Sequence, residues 1–253
     1  MLSIQSIPRP SLTLLGAEPL RAAVEDVSHR AFTPARCPVA GDGHPVVIFP
    51  GLGTDGHAVA PLRRHCESLG YAALDWGRGL NRGPQGDPEA WLADLQAHVT
   101  DLLGGFEQHA TFIGWKLGGI CARGLAKSLR PLVCQVITLG TPFDAGAGHT
   151  HAGWIFRLLG GAAPPLTAAW STRLRSAPGL PTMSIYSRTD GVVAWQACRH
   201  AVESDRVQDI EVSGSHIGLG WNRAVLGIVG DRLAQVPAQW KRSAAEAGDD
   251  TRR

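Results

Sequence analysis

Thr111-Phe-Ile-Gly-Trp-Lys-Leu-Gly-Gly-Ile120 is the stretch that decides how the chain is read. An apolar run of strand type ends at Gly114, one residue separates it from Lys116, another separates Lys116 from Gly118 and Gly119, and a helical pattern starts at Leu117. Glycines at these places let a strand turn sharply into a helix and leave the central side chain strained and exposed above a sheet. Lys116 is that central residue.

Outward from this corner, short apolar runs alternate with longer stretches of helical period, the pattern of a parallel sheet with crossover helices. Strands are expected at 46–49, 72–76, 110–114, 134–139, 182–186 and 207–212, and helices near 58–69, 88–103, 117–129, 194–202 and 223–233. Right-handed crossovers in that order give an α/β fold with a mostly parallel, doubly wound sheet. Before the core, residues 18–30 carry Leu20, Val24 and Val27 at helical spacing. They predict an amphipathic helix docking its apolar face on the main body, with a membrane-facing edge as the other use for that face. The expected organisation is this helix and a Pro/Gly-rich linker over 1–43, one core over 44–240, and a flexible tail over 241–253. An insertion at about 144–179 is too long for an ordinary connection, and its Trp154, Ile155, Leu158, Leu159, Leu166 and Trp170 favour a small helical cap.

Composition narrows the class. A length of 253 residues suits a single α/β core, and 44% hydrophobic with 18% charged residues describes an ordinary globular protein. With 24 basic and 22 acidic residues and no long block of either sign, nucleic acid is not an expected partner. Cys37, Cys66, Cys121, Cys134 and Cys198 are scattered without a C-x-x-C pair, which suggests buried thiols rather than a disulfide framework or zinc site. Residues 1–16 lack a basic-then-apolar leader and no apolar run is long enough for a transmembrane segment, so a cytoplasmic protein is expected.

The corner has the spacing of a G-x-S-x-G nucleophile elbow. Upstream, Phe49-Pro-Gly-Leu-Gly-Thr-Asp55 follows the first core strand; the N–H groups of Leu52 and Leu117 would stabilise the oxyanion of a tetrahedral intermediate, unless the loop is a plain Gly-rich turn. Downstream, Asp190 in Ser187-Arg-Thr-Asp-Gly-Val-Val193 and His216 in Gly214-Ser-His-Ile-Gly-Leu-Gly220 each follow a strand directly. A carboxylate and an imidazole in that order after the elbow suit an orienting acid and a general base. Taken singly, Asp190-Gly191 is also what a turn looks like, and His216 what a surface histidine looks like. Asp144 is the reserve acid, His57 stands beside the oxyanion loop, and His149 and His151 have H-x-H spacing better read as a polar loop than as a metal site.

With Ile137-Thr-Leu-Gly-Thr-Pro-Phe143 and Tyr186-Ser-Arg-Thr-Asp-Gly-Val192 added, the region from about 44 to 240 resembles the α/β-hydrolases, and among them bacterial esterase-like and lipase-like proteins. The resemblance implies a Ser-His-Asp esterase architecture. No nucleotide, metal or flavin motif is present, so no cofactor and no metal are expected. The apolar content of the expected cap and Trp115 beside the elbow suggest a pocket for a small to medium apolar ester or carbonyl substrate, lined by Gly51, Gly53, Trp115, Trp154, Trp170 and Ile217, with a core role equally open for each tryptophan. Similar proteins carry serine where this chain has Lys116.

That difference changes the chemistry. An amine that attacks an ester leaves an amide, so the usual double displacement stalls. Burial at a helix N-terminus disfavours the cation and Asp190 opposes this. Four uses stay open for Lys116: a Schiff base with a carbonyl substrate, a base or electrostatic group, a replacement, natural or engineered, that disables an esterase and leaves a binding protein, or a chain that snorkels to solvent. Oligomeric state is not legible.

Overall fold

A computed structural model describes residues 8–31, 41–144, 172–173 and 175–235. The expected cap with Trp154 and Trp170, His149, His151, most of the linker and the tail lie outside the described residues. The elements are α1 (Leu12–Ala31), β1 (Pro45–Phe49), α2 (Ala60–Ser68), β2 (Ala72–Asp75), α3 (Pro88–Leu103), β3 (Ala110–Trp115), α4 (Leu117–Ser128), β4 (Val133–Leu139), β5 (Thr182–Tyr186), β6 (Val207–Glu211) and α5 (Arg223–Leu233).

The six strands form one sheet in the order β2-β1-β3-β4-β5-β6, and every neighbouring pair is parallel. Side chains alternate between its two faces. Val46 and Ile48 of β1 join Leu62, Cys66, Val225 and Val229 of α2 and α5 on one side, while Val47 and Phe49 join Leu92, Leu95, Cys121 and Leu125 of α3 and α4 on the other. Both faces are therefore covered, which is why the strands read as nearly continuous apolar runs. The chain leaves β1 for the edge strand β2, then returns across β1 to β3 and continues to β6, so the direction of travel reverses between β1 and β3. In open α/β sheets that reversal opens a crevice at the carboxyl ends of the two strands. Those ends are Phe49 and Trp115, so the crevice lies between the Pro50–Asp55 loop and Lys116.

Local chemistry fixes several boundaries. Asp87 caps α3 by accepting the Ala90 N–H with Pro88 in the first turn, and Asn222 caps α5 by accepting from Ala224 and Val225. The helix expected at 194–202 is instead a single 3-10 turn, Trp195–Cys198. Ser184 Oγ holds the Cys198 carbonyl at 2.6 Å, and the His200 N–H is taken by Asp209 at 2.8 Å, so side chains capture the backbone groups that a continuing helix would need.

The first helix forms, longer than expected, but docks by the opposite face. Leu20, Val24 and Val27 are exposed, whereas Glu18 and Ala22 are buried. The reason lies in what α1 covers: loops at 189–191 and 214–218 present backbone N–H groups that need acceptors once buried, and carboxylates supply them better than aliphatic side chains.

Candidate active site

Lys116 has φ 54° and ψ −123°, the one positive φ outside glycine among the described residues. Such a conformation costs roughly 1–3 kcal/mol and survives only where the surroundings over-determine it. Here the Lys116 N–H donates to Leu139 O at 2.9 Å, and its carbonyl accepts from Gly119 N at 3.1 Å and Thr141 Oγ1 at 2.8 Å. The glycines permit the corner. A methyl on Gly114 would run into the Gly119 backbone, and one on Gly118 into the carbonyls of Phe49 and Pro50. The start of α4 is thus pressed onto the β1 exit loop, and Gly51 lies along the Lys116 stem, where an added Cβ would stand 2.9 Å from Cδ.

That loop is riveted by a residue the sequence reading missed. Asn81 is fully buried; its Nδ2 donates to Pro50 O at 2.7 Å, its Oδ1 accepts from Gly83 N, its carbonyl accepts from Gly53 N at 2.8 Å, and its N–H donates to Thr54 O. Gly53 itself sits at φ +72°. The N–H groups of Leu52 and Leu117 have no hydrogen-bond partner among the described residues. One of these open donors is on the β1 exit loop and the other is on the first residue of α4.

Asp190 and His216 come together at the ends of the next loops. His216 Nδ1 lies 2.6 Å from Asp190 Oδ2, and Asp190 Oδ1 accepts from Val192 N at 2.8 Å and Val193 N at 2.7 Å. A carboxylate can only accept, so Nδ1 carries the proton and Nε2 is left as the basic nitrogen. Both side chains are buried. Gly140, directly after β4, packs beneath them: a Cβ there would stand 3.4 Å from His216 Nδ1 and 3.6 Å from Asp190 Oδ2. Since Lys116 is bonded to Leu139, the pair and the corner sit side by side over the ends of β3 and β4.

The reserve acid is engaged elsewhere, because Asp144 pairs with Arg175 at 2.8 Å. His57 is almost wholly exposed and contacts Asp55. Ile217 is half-buried and donates its N–H to Glu18. Trp115 is buried in the core on the α2 and α5 side, its ring against Trp221, with the Lys116 ammonium 3.9 Å from its centroid. Among the described residues no cluster of three or more His, Cys, Asp or Glu side chains could hold a metal ion, and no helix is long and apolar enough to cross a membrane.

Burial pushes the Lys116 amine down from 10.5 to about 8, against the opposing pull of Asp190 and then Glu18. Desolvation wins because two carboxylates only partly replace the water an ammonium loses.

Comparison with known proteins finds no matching family model and no matching curated protein. Solved structures do match. A lipase-esterase related protein from Clostridium acetobutylicum ATCC 824 aligns with TM-score 0.52 and 16% identity over 76% of this chain and 96% of its own. An α/β superfamily hydrolase from Oenococcus oeni PSU-1 aligns at 0.56 and 14% over 76% and 92%. A monoacylglycerol lipase from Paleococcus ferrophilus aligns at 0.54 and 12% over 76% and 96%. At these identities the likeness is one of fold. The chain has the α/β-hydrolase fold.

Proposed function

We propose that the protein is a carbonyl-directed enzyme built on an esterase-type site, in which the Lys116 amine takes the place of a serine hydroxyl. The observation that carries this reading is geometric: Lys116 is held at a strained elbow, φ 54°, beside an intact His216–Asp190 pair, and burial lowers the basicity of its amine as it does that of Lys127. With a midpoint near 8, about a tenth of the amine is neutral at pH 7, against about three in ten thousand for a free lysine, a gain of about 300-fold in nucleophile.

An aldehyde or ketone oxygen would accept the N–H groups of Leu52 and Leu117 while the amine adds to the carbon. The C–N bond forms as the C=O π pair moves onto oxygen. His216 Nε2 takes the proton released by nitrogen and returns it to that oxygen, giving a neutral carbinolamine; its hydroxyl then leaves as water on receiving a second proton, drawn from solvent through His216, and the nitrogen lone pair closes the C=N bond to leave a cationic iminium on Lys116. The cationic imine then draws electrons from an adjacent bond, which suits retro-aldol cleavage or a related carbon–carbon step. Ester substrates behave differently: expulsion of the alcohol leaves an amide on Lys116. Leu52, Leu117 and Ile217, each half-buried, give the entrance an apolar rim and favour an apolar substrate of small to medium size.

A disabled esterase that binds its ligand is the second reading, favoured by the resting place of the ammonium over the Trp115 ring. A cation held there is stabilised and withdrawn from the entrance. Turnover of a retro-aldol substrate and of short-chain esters, measured for the protein and for Lys116→Ala, Lys116→Ser and His216→Ala, separates the two. The carbonyl reading expects retro-aldol activity lost in both Lys116→Ala and His216→Ala. Absence of that activity, with ester hydrolysis appearing in Lys116→Ser, would instead establish the disabled esterase.

A further inference from the structure

Helix α1 makes its tightest contacts with the two loops that carry Asp190 and His216. Glu18, 2% exposed, accepts the N–H of Gly191 at 2.7 Å and of His216 at 3.1 Å through Oε1, and that of Ile217 at 3.2 Å through Oε2. One carboxylate thus bonds the loop of the acid and the loop of the imidazole at once. Its neighbours on the same helix face repeat the pattern. Arg21 donates to Thr189 O at 2.5 Å and Thr189 Oγ1 at 2.7 Å, and Glu25 accepts the Ser215 N–H at 2.7 Å and its hydroxyl at 3.1 Å.

The helix backbone is equally close: a Cβ on Gly191 would lie 2.5 Å from the Leu14 carbonyl carbon. Apolar contact is a small part of this docking: Leu15 packs against the Tyr186, Val192, Val193 and Cys198 cluster and Ala22 is buried, while Leu12, Leu20, Val24 and Val27 face outward. A carboxylate buried to this degree is expensive unless it is hydrogen-bonded and its charge is matched. Three backbone donors supply the first condition. Arg21, 3.7 Å away, supplies the second, while Glu25 is the like charge nearby.

We propose that Glu18 is a positioning residue of this site, clamping the Asp190 and His216 loops to each other so that the acid and the imidazole keep their contact. The proposal builds on the assignment of Lys116, Asp190 and His216 to one site, but not on the reaction they perform.

The test compares the full chain with Glu18→Gln and Glu18→Ala by two readouts that need no turnover. The first is the low-field Nδ1 proton resonance of His216, which reports its contact with Asp190. The second is amide hydrogen exchange in segments 187–193 and 213–219 against strand β4. In Glu18→Gln that resonance is expected to shift or broaden, because the loops that hold the pair are no longer tied to each other by one carboxylate. Exchange in both loop segments is expected to quicken at least tenfold while β4 is unchanged. A His216 resonance identical to that of the unsubstituted protein overturns the proposal. So does exchange that quickens equally in β4, which would make Glu18 a general stabiliser. Should Glu18→Ala fail to fold, the isosteric Gln variant decides. If Lys116 forms no adduct with any carbonyl compound, the proposed reaction fails while both of these readouts stand.

Discussion

Replacing Lys116 by methionine should stabilise the protein at neutral pH, and by an amount that disappears in alkali. The ammonium is held where burial lowers its pKa from 10.5 to about 8. At about 1.4 kcal/mol per pH unit, that gap corresponds to about 3 kcal/mol of folding free energy forgone while the group is charged. The ring of Trp115 beneath the ammonium returns about 1–2 kcal/mol through its quadrupole. The net penalty is therefore about 1–3 kcal/mol. Its pH window follows from proton binding. Between the folded midpoint, which the Trp115 ring raises above about 8, and 10.5 the unfolded chain binds the proton that the folded protein has shed, so stability climbs with pH across that range, and the penalty is whole below it and absent above it. Methionine keeps a stem of similar length against Gly51 and a sulfur that tolerates the indole. Urea unfolding of both proteins from pH 6 to 10.5 should show Lys116→Met more stable by about 1–3 kcal/mol at pH 7. The two curves should converge towards pH 10.5. A difference that does not vary with pH, or a Met variant less stable at pH 7, would refute the electrostatic argument.

Asn81→Ala leaves the Pro50 carbonyl and the Gly83 N–H without their partner and should cost roughly 2–4 kcal/mol in urea unfolding. In any active background it should also lower kcat more than KM, because the Leu52 donor loses its support. Gly140→Ala forces a side chain onto φ +56° and sets a methyl 2.8 Å from Leu219 Cδ1, so the melting temperature should fall by several degrees. The low-field Nδ1 proton resonance of His216 should shift or broaden with it, and an unchanged resonance would show that the pair tolerates crowding from β4. Lys116→Ser should hydrolyse short-chain esters with an acyl burst, and His216→Ala placed on top should abolish it.

The sheet was legible because both of its faces are buried, which makes each strand a compact apolar run between Gly- and Pro-rich turns. All six strands fall where the periodicity puts them, and α3 and α5 match to the residue because Asp87-Pro88 and Asn222 announce their starts. The corner, Asp190 and His216 were legible for another reason: their spacing is set by turn geometry local to each strand end. What pattern reading missed was polar and long-range. In α1, Glu18, Arg21, Ala22 and Glu25 recur at helical spacing as regularly as Leu20, Val24 and Val27, and only the unpaired amides of distant loops decide which stripe turns inward. Asn81 is one polar residue in a Gly-rich stretch, and nothing in its neighbours tells that it reaches the Pro50 carbonyl. The 3-10 turn at Trp195–Cys198 was mistaken for a helix because its terminators, Ser184 and Asp209, lie on other strands.

The most direct test uses the small lysine content: Lys116, Lys127 and Lys241 are the chain's only lysines, so each can be followed on its own peptide. The protein is incubated with a series of small apolar aldehydes and ketones at pH 7, reduced with borohydride, digested and mapped by mass spectrometry. The account predicts a reduced adduct concentrated on the Lys116 peptide, its yield cut sharply in His216→Ala. Adducts spread evenly over Lys127 and Lys241, with Lys116 unmodified, would contradict it.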